Sequence, residues 1–104
     1  MSFNGTEGAV VTLREASSWT ANYRATIEDG DTIAHFVGTE KIKAIIDQED
    51  CVGIRIYYGI DENGEKNLIL VGANADENDM EEGVIIEKLL KCPPFCGQLN
   101  SLNS

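Results

Sequence analysis

No apolar run in this 104-residue sequence approaches the roughly 20 residues that cross a bilayer, so no spanning helix is expected. The opening MSFNGTEGAVV has neither a positively charged segment nor a long apolar one, and does not read as an export signal. The expected setting is therefore the reducing cytoplasm, and the glycosylation pattern Asn4-Gly5-Thr6 reads as a chance match. Basic residues are scarce, 8 against 18 acidic, for a net charge of -10. With no basic cluster the surface repels phosphate, which argues against nucleic acid and against anionic membranes as partners. There are no G-x-G-x-x-G, Walker, G-x-S-x-G or H-E-x-x-H motifs, so the chain offers no recognisable phosphate cradle, nucleophile elbow or zincin site. A small enzyme acting through acidic residues stays open as a weaker option, with no pair to name.

What is present reads as a single domain over residues 1–104, with 1–11 a loose lead-in. Thr12-Leu13-Arg14-Glu15 fits a capping box. Apolar residues follow at Leu13, Ala16, Trp19, Tyr23 and Ile27, which predicts a helix over about 12–26. Gly30 suits the turn that ends it. Thr32–Val37 stays open between strand, linker and helix start. Thr39 is expected to cap a second helix, with Ile42, Ile45 and Ile46 as its apolar face and an end near Gln48.

The run CVGIRIYYGI alternates cleanly, with Val52, Ile54, Ile56, Tyr58 and Ile60 on one face and Cys51, Gly53, Arg55, Tyr57 and Gly59 on the other. Asp61-Glu62-Asn63-Gly64 is the turn of a hairpin. The return strand, about Lys66 to Asn74, is apolar on both faces and so belongs at the centre of a sheet. A short third strand falls at Val84–Ile86, after the acidic loop ADENDMEEG. That loop fails the EF-hand pattern and reads as a solvated surface. The fold class is α+β in the order α-α-β-β-β, two N-terminal helices packed on a small antiparallel sheet, with an extended proline-containing tail. The exposed edges of so small a sheet leave a homo-oligomer through a sheet edge open.

Candidate functional residues fall into three sets. Arg55 and Tyr57 face away from the apolar side of their strand, where Arg and Tyr suit a carboxylate or a partner surface. Trp19, Tyr23 and Phe36 either line a ligand pocket or build the core. Cys51, Cys92, Cys96 and the lone His35 are the only soft metal ligands, and arithmetic permits a zinc site among them. Three residues separate Cys92 from Cys96, not the two of the usual redox pair, and a disulfide is disfavoured in the cytoplasm. In KCPPFC, Lys91–Cys96, the two prolines favour a stiff strap, anchored by a buried Phe95 and holding its sulfurs apart.

The hairpin CVGIRIYYGIDENGEKNLILVG, the His35-Phe36-Val37-Gly38 segment and the CPPFC tail resemble a family of small uncharacterised bacterial proteins with no known activity. The resemblance implies a compact soluble domain with the cysteine tail as part of the fold, and carries over no site residue. Taken together, a non-enzymatic binding or interaction module without a cofactor is expected. The alternative is a metal-binding or thiol-based protein using Cys51, Cys92, Cys96 and His35.

Overall fold

The computed structural model describes residues 2–104. In chain order its elements are α1 (Leu13–Arg24), β1 (Ala34–Phe36), α2 (Thr39–Ile46), β2 (Gly53–Ile60), β3 (Lys66–Ala73), β4 (Ile85–Ile86) and β5 (Leu90–Cys92). This is the expected small α+β fold, with two short strands added. The open stretch Thr32–Val37 contains β1, and the tail contains β5. These two pair with each other in a sheet separate from β2-β3-β4. The chain forms two compact units. The first holds the chain up to Glu7 together with Phe36–Leu89, and the second holds Gly8–His35 with Leu90–Ser104.

In the first unit, β3 lies between β2 and β4 and is antiparallel to both. Its central place explains its two apolar faces, since Leu70, Val71, Gly72 and Ala73 are all buried. The register sets Ile54 opposite Gly72, Ile56 opposite Leu70 and Tyr58 opposite Leu68. Directly opposed residues share a face, so these form one apolar surface. The helix that packs on β2 and β3 is α2. Its Ile45 is the most deeply buried side chain, at 0 % exposure. A Cβ on Gly72 would sit 3.0 Å from Cys51 Sγ and 3.1 Å from Gln48 Nε2, so a side chain here would have to push the residues after α2 outward.

Gln48 fastens that corner. Its Nε2 donates to Ile45 O at 2.9 Å and its Oε1 accepts from Val84 N at 2.8 Å, tying the end of α2 to the approach to β4. The cap of α2 differs from expectation. Gly38 is the N-cap, without a side-chain bond, and Thr39 is the first helical residue. The hairpin turn follows its sequence: Asp61 Oδ1 accepts from the Asn63 and Glu65 amides at 2.9 Å each, and Gly64 takes a φ of 78°.

In the second unit, α1 begins at the expected capping box. The Glu15 amide donates to Thr12 Oγ1 at 3.1 Å, and the Thr12 amide donates to Glu15 Oε1 at 3.5 Å. The helix ends at Arg24, two residues short of expectation, and buries none of its residues. Its C-terminal arginine clamps the chain end instead: Arg24 Nη1 donates to Leu102 O at 2.5 Å and Nη2 to Ser104 O at 2.6 Å. The Ile33 amide donates to Cys92 O at 2.8 Å, at the β1–β5 pairing.

The strap expected at KCPPFC is corrected on both counts. Phe95 is 60 % exposed, and Cys92 and Cys96 are joined by a disulfide. The segment folds back through Phe95 N to Lys91 O and Cys96 N to Pro94 O, which brings the two Cα atoms to 4.9 Å, within bridging range. Among the described residues no helix is long and apolar enough to cross a membrane.

Candidate functional site

Period-two alternation puts Arg55 and Tyr57 on the same face of β2. Both reach one carboxylate, that of Asp79. Arg55 Nη1 donates to Asp79 Oδ1 at 2.5 Å, and the Tyr57 hydroxyl donates to Asp79 Oδ2. Arg55 Nη1 also donates to Glu77 O at 3.1 Å. The Phe3 ring lies 5.3 Å from the guanidinium carbon, a cation–π contact from the N-terminal segment. That segment, expected to be loose, is fastened to the sheet unit where the Phe3 amide donates to Ala75 O at 2.9 Å.

Asp79 arrives by a local mechanism. Asn74 Oδ1 accepts from the Asp76 and Asn78 amides at 3.0 and 3.1 Å. This Asx turn folds the acidic loop back, so that Asp79 bridges to Ala73 and the Met80 amide donates to Gly72 O. The loop read as merely solvated therefore supplies the third member of the cluster. The signal for it in the sequence is Asn74 at the head of the loop, an Asx-turn former directly after a strand.

The cluster sets its own charge states. The Tyr57 hydroxyl bond, with Arg55 beside it, holds the Asp79 carboxyl below its ordinary pKa. The bond to Asp79 raises the Tyr57 phenol, since losing the proton would lose the bond and set two anions together. It also raises Arg55, a fixed cation in any case. Arg55 and Asp79 are both half-buried and together neutral.

Beside the cluster runs a cleft of about 440 Å³, walled by Phe3, Gly5 and Glu7 on one side and by Val52–Ile56 of the β2 strand region on the other. Its size lies within the usual range for ligand sites. The Glu7 carboxylate is kept ionised below its ordinary range, first by the Asn4 amide at 2.9 Å and also by the Gly5 amide at 2.9 Å. Among the described residues only β3 pairs with β2, which leaves the other edge of β2 open. Beyond the cleft, its apolar face continues with Ile56, Tyr58 and Ile60 at 51 %, 90 % and 75 % exposure.

The aromatic set divides. Trp19 and Tyr23 line a shallow groove of about 240 Å³ with Thr20, Arg24, Ile33 and Leu102. Phe36, at 63 % exposure, is not among its lining residues. None of the three is buried, so none builds the core.

The soft-ligand set divides as well. Cys92 and Cys96 bond each other, His35 sits half-buried in β1, and Cys51 stays a free thiol donating to Gly53 O at 3.2 Å. Among the described residues no three His, Cys, Asp or Glu are grouped to hold a metal ion. No family model, curated protein or solved structure matches the chain.

Proposed function

We propose that this chain is a non-enzymatic binding module that receives an extended segment along the open edge of β2. The observation that carries it is the pairing of an unfilled strand edge with an exposed apolar stripe, Ile56, Tyr58 and Ile60, beside a cleft of ligand size. An open edge turns every second N–H and C=O outward, and such edges are where extended peptides add as further strands. The Arg55–Asp79–Tyr57 cluster serves the edge by locking β2 to the acidic loop, so that the strand presents a preformed surface.

The test uses an alternating Ile–Thr peptide followed by NMR. Methylating its backbone nitrogens at one alternate set of positions should abolish binding, and methylating the other set should leave it. Equal binding by both methylated peptides would overturn strand addition. A second reading, a thiol-based protein, rests on the Cys92–Cys96 bond. It requires that a dithiol reductant open this bond and that oxidised glutathione re-form it under mild conditions, measured by thiol titration.

A further inference from the structure

We infer that the segment accepted by β2 is cationic, with apolar side chains on one face and lysine or arginine on the other. This rests on the strand-addition reading and adds the chemistry of the partner. A strand laid against β2 sends alternate side chains to the two sheet faces. On one face its neighbours are Ile54, Ile56, Tyr58 and Ile60, which call for apolar partners.

On the other face its neighbours are Gly53, Arg55, Tyr57 and Gly59. Gly53 leaves open space there for a long side chain, whereas at Gly59 the Ile69 side chain fills the gap. The one cation on that face, Arg55, is already neutralised by Asp79. The remaining charge lining the cleft is the ionised Glu7. At the far end of β2 the hairpin turn carries the carboxylates of Asp61, Glu62 and Glu65 against a single cation, Lys66, opposite Ile60. The edge thus runs between acidic ends, in a chain of net charge -10.

The same charge decides between two occupants. A second copy would offer an equally apolar strand but bring another ten negative charges. Like charges of that size slow encounter, whereas a basic segment is drawn in. The geometry therefore favours a basic partner over self-pairing.

The experiment compares alternating Ile–Lys and Ile–Glu peptides of equal length on the full chain, with the neutral Ile–Thr peptide as reference. The lysine peptide should bind about tenfold more tightly than the glutamate peptide at low salt, with the gap shrinking as salt screens the charges. Glu62→Gln, in the hairpin turn outside the cleft, should narrow the gap without abolishing binding of the Ile–Thr peptide. If Ile–Thr binds and the two charged peptides bind equally, the partner chemistry is wrong while strand addition stands. If none of the three binds, strand addition itself fails and the inference falls with it. A concentration-dependent dimer in light scattering at low salt would also overturn the inference.

Discussion

The two units of this chain are held together by different physics. The sheet unit has the buried residues: Ile45, Leu70, Val71 and Ala73 are each at most 4 % exposed. The other unit contributes one, Cys92, and that residue is also its covalent cross-link. Its helix α1 has no fully buried residue, and its order comes from a capping box, the Arg24 clamp and the disulfide. Burial gives one unit a core that can support an open working edge. Cross-link and polar ties hold the other where apolar contact is thin, as small domains commonly do.

The largest expected effect tests the burial side of that contrast. Leu70→Ala empties a site under α2 and should cost about 2–5 kcal/mol in urea unfolding. Trp19→Ala, at an exposed position, should stay within about 0.5 kcal/mol. Equal costs would erase the distinction. Next comes the cross-link. Reducing Cys92–Cys96, which closes a short loop, should cost about 2 kcal/mol and speed exchange at the Ile33 amide bonded to Cys92 O. Smaller again, Thr12→Ala removes the capping box and should cost about 1 kcal/mol, seen as lost helix signal in circular dichroism.

The smallest effect is a pH window on the Arg55–Asp79–Tyr57 cluster. The pKa of Asp79 is lowered in the fold, so its contribution is present above the ordinary aspartate range and fades as pH falls through the lowered value. The pKa of Tyr57 is raised, so its contribution is present below the ordinary phenol range and fades as pH rises through the raised value. Ring and guanidinium NMR signals should report both limbs. Tyr57→Phe should remove the alkaline limb and leave a smaller acid one, held by Arg55 alone.

Strong local patterns carried most of the fold. Alternation over Cys51–Ile60 located β2, the doubly apolar run located β3 at the sheet centre, and Thr12 with Glu15 marked the start of α1. What stayed hidden was short or non-local. β1 and β5 have three residues each, too few for a period, and each is defined by its pairing with the other. Half of the candidate site was legible, since alternation set Arg55 and Tyr57 on one face. Asp79 was not, because its role depends on a loop folding back 24 residues after Arg55. The cysteine tail misled because two prolines suggest an extended segment, whereas the turn bonds at Phe95 and Cys96 fold it into a closed loop.

The central claim is that the open edge of β2 is the binding surface. It is tested most directly by amide hydrogen exchange with and without the alternating Ile–Lys peptide. Slowed exchange at alternate amides between Gly53 and Ile60, with Trp19–Arg24 unchanged, is the predicted result. Binding that slows exchange along Trp19–Arg24 and leaves β2 untouched would contradict it.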